Sequence, residues 1–122
     1  MPRPILTEDK IHPAIRDTVA NHEQAIVREV QGATAAHAVV VVGMKMNPFP
    51  KQARKALDAA GVAHHYLEYG NYLGGWRPRG ALKAWTGWPT FPMVFVKGTL
   101  VGGADDLQKL MESGELTKLL AG

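Results

Sequence analysis

The sequence predicts an α/β fold in which a four-stranded mixed sheet carries helices on both faces. Three observations carry this prediction. Ala38-Val39-Val40-Val41-Val42 is a continuous apolar, β-branched run, the pattern of a central strand buried on both faces. A helical pattern separates it from a second strand over Val62 to Tyr69, and a strand–helix–strand unit makes a right-handed crossover between parallel strands. Met93-Val94-Phe95-Val96 and Leu100-Val101 are apolar runs joined by Lys97-Gly98-Thr99, which reads as an antiparallel hairpin.

The elements follow in chain order. Residues 1–12 hold no sustained period and read as an arm or a short extra helix. Pro13 suits the first turn of a helix that includes Ile15, Val19 and Ala20. Ile26, Val27 and Val30 mark one face of a further helix beginning near His22, with Gly32 as its expected stop. After the first strand, Asn47-Pro48-Phe49-Pro50 opens a helix. Asn is a strong N-cap, Pro is favoured at the first helical position, and a proline at the third removes a donor that has no helical partner anyway. Ala53, Ala56, Leu57 and Ala60 form the buried face of this helix, and Gly61 ends it. Gly70 to Gly75 reads as a loop. Arg79 to Trp85 is a short helix, and two helical stretches close the chain, with Leu107, Leu110 and Met111 on one face and Leu116, Leu119 and Leu120 on the next. This order is that of a thioredoxin-like fold. It divides the chain into an N-terminal arm and helix, residues 1–35, packing on a domain of residues 36–122.

Composition limits the function. With 122 residues, 46% of them hydrophobic and 20% charged, the chain has the make-up of one ordinary globular domain. No apolar run approaches the roughly 18–20 residues of a membrane span, and Met1-Pro2-Arg3-Pro4 lacks the apolar core of a secretory signal, so no membrane association and a cytoplasmic location are expected. The chain has no cysteine, which excludes disulfides, thiolate zinc sites and cysteine-held clusters. The net charge of +3 is spread over small basic groups, Lys51/Arg54/Lys55 and Arg77/Arg79/Lys83, without the aromatic interleaving of a nucleic-acid surface. Adjacent His64 and His65 would point to opposite faces of a strand, and Met44 and Met46 stand without a third ligand, so no metal site is expected.

Two segments carry the chemistry. Trp88-Pro89-Thr90-Phe91-Pro92 precedes the hairpin, and Val101-Gly102-Gly103-Ala104-Asp105 follows it. The first resembles the Thr-x-Pro segment of glutaredoxins and the second their Gly-Gly-x-Asp loop. Met44-Lys45 is similar to the Met-Lys signature of the monothiol branch, although the loop here is shorter. Arg79 to Trp85 resembles the helix leading into Trp-Pro-Thr. The likeness runs from about Val39 to Leu120 and is closest to the monothiol branch.

The resemblance implies a cis-Pro at Pro92 and a glutathione groove built from Lys45, Arg79, Thr90, Phe91, Pro92, Gly103, Ala104 and Asp105. In it Lys45 and Arg79 would meet carboxylates, the backbone of Phe91 would pair with a peptide-like ligand, and Asp105 would take the γ-glutamyl ammonium. Arg77 is the rival to Arg79, and each cation has a plainer reading as a solvated surface residue. The catalytic motif departs from the family. Where glutaredoxins carry Cys-x-x-Cys or Cys-x-x-Ser, this chain reads Asn47-Pro48-Phe49-Pro50, so both thiol positions, Asn47 and Pro50, are replaced. Thiol–disulfide exchange needs a thiolate, and no catalytic residue is assigned. The expected function is a non-catalytic binding module for glutathione or a peptide resembling it, with an unidentified protein partner left open. Two alternatives stand beside it: an enzyme using bound glutathione as its nucleophile, and a purely structural or partner-binding domain.

Overall fold

The structure, a computed structural model, describes residues 3–21, 24–45, 47–69 and 76–121, without the side chains of residues 19–21 and 76–78. The loop expected at Gly70 to Gly75, the residues His22 and Met46, and the side chains of Val19, Ala20, Trp76 and Arg77 lie outside the described residues.

Two short 3-10 turns, Glu8–Lys10 and Pro13–Ile15, lead into α1 (Arg16–Asn21) and α2 (Gln24–Ala36). Then follow β1 (Val39–Gly43), α3 (Pro48–Ala59), β2 (His65–Glu68), α4 (Trp76–Thr86), β3 (Met93–Val96), β4 (Thr99–Gly102), α5 (Ala104–Ser113) and α6 (Glu115–Ala121). The four strands form one sheet in the order β2-β1-β3-β4. β1 pairs parallel with β2, Val41 opposite Tyr66, and antiparallel with β3, Val41 opposite Val94. This is the mixed sheet and thioredoxin-like fold the sequence predicts. Lys97 and Gly98 both take positive φ, 49° and 81°, which is the twist a two-residue hairpin needs.

The period of two along β1 divides the core. Val40 and Val42 join Met93 and Phe95 under Val30 of α2 and Leu82 of α4. Val39 and Val41 join Val94 and Val96 under Ala53 and Leu57 of α3, Leu107 of α5 and Leu116 of α6. Both faces of the central strands are therefore covered, which is why their side chains read as a continuous apolar run. No polar or charged residue is buried among the described residues.

Several boundaries differ from the sequence reading, and α4 spans Trp76–Thr86 rather than Arg79 to Trp85. α2 does not stop at Gly32 but runs on to Ala36. Ala33 packs against the core beside Val30, and this tertiary contact outweighs the roughly 1 kcal/mol that glycine costs inside a helix. β2 is confined to His65–Glu68 rather than Val62 to Tyr69, because only these residues find ladder partners on β1. His64 lies before the strand, with Nδ1 3.0 Å from the Val62 carbonyl oxygen, while the His65 ring stacks on His37 at 4.3 Å.

Candidate functional site

The N-terminus of α3 is placed by a contact that tolerates no side chain at Gly43. A Cβ there would come within 2.7 Å of Pro50 and 2.9 Å of the Tyr66 hydroxyl. The end of β1 thus abuts the first turn of α3. Asn47 caps this helix, its Oδ1 accepting from the Phe49 N–H at 3.0 Å, and its Nδ2 donates to the Phe91 carbonyl at 3.5 Å. One amide ties the α3 terminus to the segment before β3.

That segment is Trp88 to Pro92, with a cis peptide bond between Phe91 and Pro92 as the sequence likeness implied. Thr86 orders its start: the hydroxyl donates to the Leu82 carbonyl and accepts from the Trp88 N–H at 3.1 Å. Across from it, β4 ends at Gly102, whose φ of 117° is open to glycine and whose missing Cβ leaves room for the Asp106 carboxylate. Asp106 accepts from the Gly103 N–H at 3.0 Å, closing the first turn of α5.

Between these walls lies a groove of about 440 Å³. Thr90, Phe91, Pro92, Gly103, Ala104 and Asp105 line it, and so does Asn47. Lys45 is an exposed turn residue and is not among the lining residues; neither is Arg79, whose Nη1 lies 3.4 Å from the Tyr69 carbonyl oxygen. The cation on the groove wall is Lys83, four residues after Arg79 on α4, with Nζ 5.8 Å from the centre of the Phe91 ring. Sequence reasoning did not single it out for the groove, although it shares a helix face with Arg79 at this spacing.

Trp88 lines the groove, but its indole Nε1 is buried away from solvent and has no hydrogen-bond partner among the described residues. The N–H groups of Ala104 and Asp105, in the first turn of α5, precede the intrahelical ladder and lie at the positive end of the helix dipole. The rest of the wall is mixed: Met44, Phe49, Trp88 and Pro89 are apolar, Phe49 is 50% exposed, and Asp106 adds a second carboxylate beside Asp105. The lining is complementary to acceptor groups on a short apolar frame. It offers no thiolate. Two tyrosines flank this region. The Tyr66 hydroxyl donates to Glu68 at 3.0 Å, and burial together with that carboxylate pushes its pKa up to about 12. Tyr69 donates to Glu29, and burial, reinforced by this bond, raises its pKa further.

No group of three or more His, Asp or Glu side chains could hold a metal ion among the described residues, and no described helix is long and apolar enough to cross a membrane.

Comparison with known proteins places this geometry. The glutaredoxin family model matches residues 39–101. A glutaredoxin-like protein of Dictyostelium discoideum is 42% identical over 102 residues, covering 84% of this chain and 83% of its own length. The bifunctional monothiol glutaredoxin-S16 of Arabidopsis thaliana chloroplasts is 55% identical over 42 residues, 34% of this chain and 14% of that protein. A crystal structure of a buckwheat glutaredoxin–glutathione complex superposes with a TM-score of 0.72 at 24% identity, over 82% of this chain and 91% of that one, a likeness of fold. With the β1–α3–β2 crossover, the cis-Pro segment and the Gly-Gly loop in their expected places, this chain belongs to the glutaredoxin family, with both active-site cysteine positions replaced.

Proposed function

We propose that this protein is a non-catalytic member of its family, a cytoplasmic binding module whose groove takes glutathione or a peptide-like analogue reversibly. The observation that carries the reading is the groove itself: the first-turn amides of α5 line it, while an amide side chain occupies the nucleophile's position. The solved buckwheat relative with a similar fold is a glutathione complex, which supports the ligand class. Residues 1–35 act in this proposal as an arm and helix packed on the domain of residues 36–122.

The ligand's peptide backbone pairs with Phe91, whose N–H has no partner among the described residues and whose carbonyl has a second lone pair beside the Asn47 bond. A carboxylate takes the amides of Ala104 and Asp105, and the Asp105 side chain takes the ammonium. Lys83 stands on the wall, and Lys45 and Arg79 act from outside it. Each exposed charge contact contributes ~0.2–1 kcal/mol, and without a covalent anchor the affinity falls at roughly millimolar to high-micromolar. It weakens as salt rises, because such charges are screened.

Titration with reduced glutathione, followed by backbone amide shifts, tests the reading. Shifts centred on Phe91, Ala104 and Asp105 are expected, together with no turnover of a glutathione mixed disulfide. Unmoved amides in this region up to about 20 mM ligand would reject the groove as a glutathione site. Lys83→Ala against Lys45→Ala and Arg79→Ala then identifies the cation that meets the carboxylate.

A further inference from the structure

Three carbonyl groups at the C-terminus of α4 converge on a cation from the start of the chain. The Arg3 guanidinium donates through Nη1 to the Thr86 carbonyl and through Nη2 to those of Ala84 and Trp85, each at 3.4 Å. These carbonyls belong to the last turn of the helix, where they have no intrahelical donor and form the negative end of its dipole. The next residue completes the cradle. Gly87 has a φ of 77°, and a Cβ there would fall 2.6 Å from Nη1, so the guanidinium occupies space that a side chain would fill. Residues 3–10 are exposed, Ile5 and Leu6 among them. This polar contact, rather than apolar packing, attaches the start of the chain to α4.

The cradle meets the groove wall through one residue. The Thr86 carbonyl faces Arg3, while its hydroxyl donates to the Leu82 carbonyl at 2.8 Å, lies 3.5 Å from the Met93 sulfur and accepts from the Trp88 N–H at 3.1 Å. Thr86 thus joins the end of α4, the first residue of β3 and the start of the wall. Trp88 in turn reaches the opposite wall: a Cβ on Gly103 would lie 3.7 Å from its Nε1, so the indole closes against the turn that opens α5. Direct contacts run from Arg3 through Thr86 and Trp88 to both sides of the groove.

We propose that the C-terminus of α4 is a guanidinium site filled by Arg3, and that Arg3 is a positioning residue for the groove. Its docking holds Thr86, and through it Trp88, in the arrangement that receives the ligand. Without Arg3, three carbonyls of the last turn face water and the turn frays. Trp88 then loses the fixed hydroxyl that its N–H binds. A ligand has to restore that order as it binds, and its affinity falls by the cost. The loss cannot exceed what the docked cation itself contributes, about two- to fivefold in affinity. The effect on affinity rests on the reading of the groove as a glutathione site; the effect on the wall does not.

Backbone amide spectra of the ligand-free parent and variants, followed by titration with reduced glutathione, test this. Arg3→Ala is expected to move the amides of Trp88 and Phe91 as well as those of Thr86 and Gly87, and to weaken glutathione about two- to fivefold. Arg3→Lys, which replaces the planar fork by a point charge, should fall between Arg3→Ala and the parent. Lys10→Ala removes a cation from the same exposed segment and should change neither readout. In a Thr86→Val background, Arg3→Ala should add little to the shift of the Trp88 amide. Unmoved amides beyond Gly87 in Arg3→Ala, an equal response to Lys10→Ala, or a full effect of Arg3→Ala in the Thr86→Val background would overturn the positioning role. So would an unchanged glutathione affinity in Arg3→Ala. The expected amide shifts without glutathione binding by any variant, the parent included, would leave the positioning of the wall standing and overturn the ligand reading alone.

Discussion

Replacing Asn47 by alanine should destabilise the protein by about 1–1.5 kcal/mol, and the structure says where each part arises. The first turn of α3 contains Pro48 and Pro50, which have no N–H, so Phe49 carries the one backbone donor there in need of a partner. Asn47 supplies it, and loss of such a cap costs ~1 kcal/mol. The second bond, from Nδ2 to the Phe91 carbonyl, is 3.5 Å long and contributes at the low end of a neutral hydrogen bond, roughly 0.5 kcal/mol or less. For 122 residues this corresponds to a Tm lower by roughly 3–7 °C. Asn47→Asp separates the two bonds. It keeps the acceptor for Phe49 and adds a charge favourable to the helix dipole by ~0.3–1 kcal/mol, but loses the donor to Phe91. At neutral pH it should lie within about 0.5 kcal/mol of the parent. Urea unfolding with an unchanged m-value reads both differences. The reasoning is refuted if Asn47→Ala shifts the midpoint by less than about 0.3 kcal/mol, or if Asn47→Asp loses as much as Asn47→Ala.

Three further outcomes follow from the same geometry. Gly43→Ala should cost more than about 2 kcal/mol, because its Cβ meets the Pro50 ring at 2.7 Å with α3 packed behind it, and a midpoint near the parent's would show that α3 can move away. Arg3→Ala should loosen the C-terminus of α4, since the guanidinium lies 3.4 Å from the carbonyl oxygens of Ala84, Trp85 and Thr86; the loss, ~0.3–1 kcal/mol, should shrink with added salt, and a salt-independent loss would argue against a helix-terminus effect. The third outcome concerns alkaline pH. Tyr66 ionises near pH 12 in the fold against 10.0 for a free phenol, and Tyr69 is raised as well. The folded state therefore holds protons that the unfolded state releases, so this stabilisation is complete below pH 10.0 and is lost as pH rises through about 12. The urea midpoint should fall more steeply across that window in the parent than in a Tyr66→Phe/Tyr69→Phe variant, and parallel curves would contradict it.

How far the sequence specified the molecule depends on the range of the forces involved. β1 was legible because four successive valines buried on both faces leave a one-letter signature. The α3 start was legible because Asn47 and Pro48 act through local backbone geometry. The hairpin turn was legible for the same reason, and the Phe91–Pro92 segment through its resemblance to the family's Thr-x-Pro segment. The extent of α2 was not, because packing of Val27, Val30 and Ala33 overrode the local cost of Gly32. Lys83 was not, because a helix period places Arg79 and Lys83 together but cannot fix which of them the helix turns toward the groove. The Arg3 contact joins residues more than 80 apart in sequence, and no pattern in residues 1–12 announces it.

The two helix N-termini at the groove have diverged in what they can do. α5 opens with Gly103-Ala104-Asp105, each with an N–H, and among the described residues only that of Gly103 is taken, by Asp106. α3 opens with Pro48-Phe49-Pro50, two of which have no N–H, and Asn47 engages the third. A thiolate at position 47 would thus find one backbone donor, and little of the amide cluster that depresses a thiol pKa. The helix that would activate a nucleophile has been closed by its own cap, while the helix that would hold an anion remains open. Asn47→Cys should therefore recover only a small fraction of monothiol activity, even in a well-folded protein. Adding Pro50→Ser restores an N–H to the first turn of α3, and it should lower the pKa of the introduced thiol further and raise the rate with it. A fully active Asn47→Cys single variant would show that the dipole of α3 suffices without its amides.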